Sequence, residues 1–316
     1  MKTRPVVYPS VYGPVPSQRL GRSLGLDLVP FKTCTYDCVY CQLGRTTDKT
    51  IDRKTYVGSE AVCAELERKL AAGPPPDYIS LAGSGEPTLD AGIGELIVRI
   101  KGMTNIPVAV LTNGSLLWQC EVQEALLAAD LVLPSLDAGD EEIFRYVNRP
   151  HPDISFALMI SGLADFIRRF QGRVWLEVFL LAGVTSSSSE IGKIDAVLQK
   201  IRPERVQLNT ATSPPAEEFA GAVSAERLEK LKGLFCGTVD VIGRRKPPGG
   251  SESGSDQSPA DILSLLARRP CTLEDLAEGL AMQPLVALKH LDALRRKGAV
   301  TAVRTPGGLF YRAGGQ

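Results

Sequence analysis

No excess charge of either sign marks this chain: 36 Lys and Arg stand against 36 Asp and Glu in 316 residues. Net charge therefore points to no polyanionic partner, although the first sixty residues hold nine basic side chains against five acidic ones. A basic segment leading into a short apolar stretch is missing at the start, and no apolar run approaches the roughly twenty residues that a membrane helix needs. The expectation is a chain neither secreted nor membrane-spanning, cytoplasmic by default and without a membrane partner. Histidine is almost absent, with only His151 and His290. Cysteine comes in an odd number, seven, and Cys63, Cys120, Cys236 and Cys271 are scattered. That is not the pattern of a disulfide framework.

What is present is an alternation of short apolar, β-branched runs with helical patterns. Strands are predicted at Ser23 to Val29, Tyr78 to Gly83, Ile106 to Gly114, Leu131 to Asp137, Arg173 to Leu181 and Arg205 to Thr210. Helices are predicted between them at SEAVCAELERKLA, LDAGIGELIVRI, LLWQCEVQEALLAA, Ile154 to Phe170 and SEIGKIDAVLQKI. Six such units predict an α/β fold, a parallel sheet with helices outside. Ligands in that architecture gather at the carboxyl ends of the strands, whether the sheet is open or closed. Lys246 to Pro259 is almost entirely Pro, Gly, Ser and charge, a composition that cannot pack and reads as a linker. Beyond it, three helical segments precede two short β-prone runs around a Pro-Gly-Gly turn, the layout of a winged helix-turn-helix. Thr272 with Asp275 suits a helix start, and Leu288, Leu291 and Leu294 are expected on one buried face. The expected division is residues 1–245, a linker at 246–258, and the winged region at 259–316.

Cys34, Cys38 and Cys41 are spaced C-x3-C-x2-C directly after the first strand. A loop there can wrap three thiolates around an iron-sulfur cube, leaving one iron without a protein ligand and open to chemistry. Structural zinc would ask for a fourth ligand, and neither histidine is near in sequence. A bare redox pair leaves the third cysteine unexplained.

The run CTYDCVYC, with an aromatic before its last cysteine, closely resembles the signature of radical S-adenosylmethionine (SAM) enzymes. The resemblance implies a [4Fe-4S] cluster on the three cysteines, whose fourth iron chelates the amino and carboxylate groups of SAM. It also implies an electron donor such as flavodoxin or ferredoxin, and cleavage of SAM to methionine and a 5'-deoxyadenosyl radical that takes hydrogen from a substrate. The fold implied is a laterally open partial (βα)6 barrel spanning about Leu24 to Thr210. Gly83, Ser84, Gly85 and Glu86 stand where the family places its Gly-Gly-Glu motif, with Ser84 in place of the second glycine. Small residues there admit a ligand close to the backbone, and Glu86 can accept a bond from an ammonium. By the same resemblance Ser135 and Asp137 contact the ribose hydroxyls or the methionine carboxylate, and Tyr40 packs over the cluster. Asn113 belongs either to this cofactor site or to an ordinary Asn-Gly turn.

The segment from Gly13 to Cys34 and the Asn148 to Pro150 run resemble a subgroup related to the tRNA wyosine-synthesis enzymes, which carry a second cluster. Met1 to Thr33 contains no cysteine for one. Cys63 and Cys120 read as buried small hydrophobes, while Cys236 and Cys271 are only a pair. Glu177 either points into the barrel as a substrate or proton-transfer group, or is a carboxylate paired with Arg173 or Arg205. Asn209 either orients substrate or caps a turn. Lys32 either tunes the cluster or faces solvent. The Pro-rich start, with Arg19 and Arg22, is either an anion-binding clasp over the mouth or a hairpin closing the barrel bottom. The winged helix offers few cations for DNA, which favours presenting an RNA, peptide or protein substrate. The alternatives are an iron-sulfur redox sensor that binds DNA, and a wyosine-synthase-like tRNA-modifying enzyme.

Overall fold

The computed structural model describes residues 9–242, 258–305 and 308–314. The expected linker falls outside them apart from its last residue, as do two residues of the Pro-Gly-Gly turn. An antiparallel hairpin opens the fold, β1 (Val11–Ser17) against β2 (Gly21–Leu26). Two short strands, β3 (Thr33–Cys34) and β4 (Asp48–Lys49), pair in parallel around the cysteine loop. Then come α1 (Ser59–Ala71), β5 (Tyr78–Leu81), α2 (Ile93–Met103), β6 (Val108–Thr112), α3 (Cys120–Leu126), β7 (Leu131–Pro134), α4 (Glu141–Val147) and α5 (Phe156–Arg169). β8 (Arg173–Leu180), α6 (Ser188–Ile201), β9 (Arg205–Thr210), α7 (Ala225–Lys232) and β10 (Val239–Val241) complete the α/β part.

The main sheet has the order β1-β2-β5-β6-β7-β8-β9-β10, and every neighbour pair after β1-β2 is parallel. Residues of opposite parity along β8 show how the sheet divides its two faces. Val174, Leu176, Val178 and Leu180 are buried in the main core with α5 and α6 residues such as Leu163, Phe166, Ile191 and Ile194. Trp175, Glu177 and Phe179 are half-buried on the other face, which packs Trp175 with Leu20, Ala109, Leu131 and Leu133. That face is the concave side of the partial barrel. Leu20 sits at the β1-β2 turn, below the amino ends of the parallel strands, so the hairpin plugs the barrel bottom; the reading as a clasp over the mouth is corrected.

The C-terminal region has three helices, α8 (Pro259–Leu266), α9 (Leu273–Gly279) and α10 (Pro284–Arg296), and a β hairpin, β11 (Val300–Thr305) with β12 (Gly308–Ala313). This is the winged-helix layout. Thr272 and Asp275 form a reciprocal capping box at α9.

Several local expectations are corrected. β2 stops at Leu26, and Asp27, whose amide donates to the Ser10 carbonyl at 2.9 Å, turns its carboxylate onto Ser84. The third helix shrinks to α3, since Leu116 to Gln119 forms a turn, and Cys120 is exposed at the helix start. α10 buries Ala287, Leu291 and Leu294, and Leu288 is 42% exposed. Ala287 shares the helical stripe of Leu291 and Leu294, and Leu288 lies a third of a turn away.

Candidate active site

Pairing of Thr33–Cys34 with Asp48–Lys49 pinches the two ends of the cysteine loop together. Inside it, Asp37 Oδ1 accepts from the Thr46 amide at 2.7 Å, and Thr46 Oγ1 donates to the Tyr36 carbonyl at 2.7 Å. Cys34, Cys38 and Cys41 are all free thiols, half-buried. Each sulfur is met by one nitrogen donor from a different segment: Asn113 Nδ2 at 3.6 Å from Cys34, Asn148 Nδ2 at 3.5 Å from Cys38, and Lys32 Nζ at 3.1 Å from Cys41. Lys32 is 3% exposed, which corrects the reading that it faces solvent.

Burial, with the neighbouring Glu86 carboxylate, pushes the Cys34 thiol up to about 12. Burial and then Asp137 hold Cys38 well above its ordinary value. Such thiols deprotonate when iron takes the proton's place. Among the described residues no group of three or more His, Cys, Asp or Glu converges on a point where one ion would sit. A cube gives each thiolate its own iron, so three free sulfurs around one loop, each with its own N–H donor, fit the cluster better than a single metal ion.

At the end of β5, Gly83 and Gly85 are required by close approach. A Cβ on Gly85 would lie 1.8 Å from the Thr33 carbonyl oxygen, and one on Gly83, at φ +153°, would lie 2.5 Å from the Asp27 carboxylate. Glu86, 2% exposed, accepts at Oε1 from the Thr88 amide, Thr88 Oγ1 and Thr112 Oγ1, and at Oε2 from the Asn113 amide at 2.7 Å. Burial raises its pKa, and these donors hold it down. Oε2 keeps acceptor capacity for a further donor. Asn113 forms the turn, its Oδ1 accepting from the Ser115 amide at 2.9 Å, and its Nδ2 donates to Thr35 Oγ1 at 2.8 Å beside Cys34.

Beyond β7, Ser135 bridges to Glu177 in parallel. Asp137 is 3% exposed and accepts from Tyr40 Oη at 2.5 Å, Asn148 Nδ2 at 2.7 Å and the Phe179 amide at 3.1 Å. Burial pushes its carboxyl up to about 6 against the pull of those donors. Tyr40 lies flat on Phe179, ring centroids 4.0 Å apart. Asn148 thus joins Asp137 to Cys38. Asn148 carries no chemistry-bearing pattern of its own beyond its place in the Asn-Arg-Pro run.

On the concave face Glu177 and Asn209 meet. Asn209 Nδ2 donates to Glu177 Oε1 at 2.7 Å, and Arg19 pairs with the same oxygen at 3.0 Å. The expected partners are elsewhere: Arg173 donates to Tyr78 Oη, and Arg205 pairs with Asp240. The remaining cysteines are dispersed. Cys63 is half-buried on α1, Cys236 is exposed beside Gln199, and Cys271 is buried in the C-terminal core next to Arg269.

Residues 28–191 match the family described as the Radical SAM superfamily. The UPF0026 protein MJ1312 of Methanocaldococcus jannaschii is 30% identical over 308 residues, covering 95% of this chain and 94% of that protein. A protein of Brachyspira hyodysenteriae named GTPase Obg is 43% identical over 272 residues; the match takes 84% of this chain but only 40% of that protein's length. A radical SAM methyltransferase from Sphaerobacter thermophilus shares the fold, with a TM-score of 0.54 and 20% identity over 69% of this chain and 66% of that one. The family match spans more than half of the chain, and the chain belongs to the radical SAM superfamily.

Proposed function

We propose that Cys34, Cys38 and Cys41 hold one [4Fe-4S] cluster and that the chain uses it to cleave SAM reductively and take hydrogen from a substrate held on the concave face. When bound, the cluster supplies the electron for that cleavage. The observation that carries this reading is the ring of three free sulfurs, each given its own donor by Lys32, Asn113 or Asn148. Donors to sulfur and nearby charge are what set a cluster's potential.

In this reading Gly83, Ser84 and Gly85 bring backbone against the cofactor, and Glu86 Oε2 receives its ammonium. Asn113 and Ser135 stand at neighbouring strand ends of the same mouth. Asp137 holds Tyr40 and Asn148 in place, so its effect on the cofactor runs largely through them. Glu177, with Asn209, is the substrate or proton-transfer group, its charge balanced by Arg19 from below. Gln207 Oε1 and Trp175 Nε1 are buried on the same face without a partner among the described residues, which favours a substrate with hydrogen-bonding groups.

One observation bears on the partner of the winged helix. The outer face of α10 shows Leu285 at 70%, Val286 at 40% and Leu288 at 42% exposure. An apolar face on that helix suits a peptide or protein better than phosphates. That also weighs against a DNA-binding sensor, and the dispersed remaining cysteines weigh against a two-cluster wyosine-type reaction. The test is 5'-deoxyadenosine formation by anaerobically reconstituted protein given SAM and dithionite. Formation lost in Cys38→Ala supports the reading; no product from fully loaded wild type, with flavodoxin or ferredoxin also supplied, overturns it.

A further inference from the structure

We infer that Arg268, in the C-terminal region, is a positioning residue for the loop that carries Gly83 to Glu86, acting through Asp27 and Ser84. The inference rests on the reading of that loop as the SAM-binding loop. Arg268 Nε lies 2.9 Å from Asp27 Oδ2, and the two side chains are 5% and 7% exposed. The same Asp27 carboxylate accepts from the Ser84 amide at 2.9 Å and from Ser84 Oγ at 2.6 Å. Every nitrogen of the guanidinium is used within the protein. Nη1 donates to the Ser264 carbonyl and hydroxyl, Nη2 donates to the Pro9 carbonyl, and the group stacks on the Tyr12 ring at 4.7 Å. Tyr12 Oη in turn donates to the Ala82 carbonyl at 3.2 Å, one residue before the loop's first glycine.

Four of its five N–H donors are used inside the protein and the side chain is only 5% exposed, so its contribution is geometric. Asp27 without its cation would be a buried, uncompensated carboxylate and would not hold its place. Ser84 would then lose both of its bonds to Asp27. The loop is also tied forward, since the Ser84 carbonyl accepts from the Lys32 amide at 2.8 Å and the Glu86 amide donates to the Thr33 carbonyl at 3.2 Å. The hydroxyl at position 84, where the family more usually has glycine, adds a second bond to Asp27 beside that of the amide and so strengthens the hold of the C-terminal region on this loop.

The test uses full-length, cluster-loaded protein as wild type, Arg268→Met, Arg268→Lys, Ser84→Gly and the Arg268→Met/Ser84→Gly double variant. SAM affinity is measured by equilibrium dialysis, and amide hydrogen exchange is followed over residues 82–86. Arg268→Met is expected to weaken SAM binding about tenfold and to speed exchange at Ser84 at least tenfold. In the Ser84→Gly background, where only the amide bond to Asp27 remains, the same change should cost less, about threefold, and Arg268→Lys should recover part of the affinity. Equal costs in both backgrounds, or unchanged exchange at residues 82–86 in Arg268→Met, would overturn the positioning role. Loaded wild type that binds no SAM would instead overturn the reading of the loop, while the exchange data still decide the positioning. Were Arg268→Met not to fold, Arg268→Lys made in the wild-type and in the Ser84→Gly background gives the same comparison.

Discussion

Lys32 has a left-handed backbone, φ 58°, uncommon for a residue with a long side chain. That conformation lets its amide reach the Ser84 carbonyl and its ammonium reach Cys41 Sγ. A cation beside the sulfur favours the more negative, reduced cluster. Lys32→Met should therefore make the midpoint potential more negative by about 50–90 mV, the equivalent of about 1–2 kcal/mol. A redox titration followed by EPR checks this, and an unchanged potential would deny Lys32 any tuning role. Steric demand at Gly85 gives a second expectation. Gly85→Ala forces a Cβ against the Thr33 carbonyl and should destabilise the fold by about 2 kcal/mol or more. Gly192→Ala, in α6 with nothing nearby, should be neutral or stabilise by up to about 1 kcal/mol. Thermal melts of the two variants would show the contrast. The cysteine spacing made the triplet legible because a loop ligand set is local in sequence. Lys32 meets a cysteine nine residues away, whereas Asn113 and Asn148 become donors only through folding, 79 and 110 residues distant from the cysteines they meet.

The β1-β2 hairpin brings Arg19 to Glu177, with the two side chains 17% and 16% exposed. Removing the cation leaves a mostly buried carboxylate with Asn209 alone, so Arg19→Met should cost about 1–3 kcal/mol. Adding Glu177→Gln should return most of that stability, and urea midpoints of the single and double variants measure the coupling. At α10 the expectation is the reverse. Leu285→Glu with Leu288→Glu should leave the melting temperature nearly unchanged, within about 0.5 kcal/mol per site, because neither side chain is buried. A large loss of stability would place those leucines in the core. Strand and helix periodicity located most elements. It failed where ends are set by contacts, as at Asp27, and where short pieces such as α4 and β10 gain stability only by packing.

Across the whole molecule two cores are stitched together. Tyr12 and Val15 of β1 are buried with Ile262, Leu265, Leu276 and Leu291 of the C-terminal helices. Gly279 approaches so closely that a Cβ would lie 2.6 Å from Pro16. Lys69 pairs with Asp261 at 3.0 Å at the edge of this contact. The α/β part and the winged region should therefore unfold together, as one calorimetric transition. Two well-separated transitions would show that the shared core and the Arg268–Asp27 pair couple them too weakly to matter.

Sequence alone determined that three cysteines share one loop, the alternation that builds a parallel sheet, and the winged-helix order, since each depends on spacing within a few turns or strands. Tertiary structure decided which of several possible partners each polar side chain took. It gave Glu177 to Arg19 rather than to Arg173 or Arg205, put Lys32 on a cysteine, and set Arg268 behind Ser84. The reason is physical: apolar periodicity is a property of neighbouring residues, whereas the partner of a buried charge is whichever group the whole fold brings within about 3 Å.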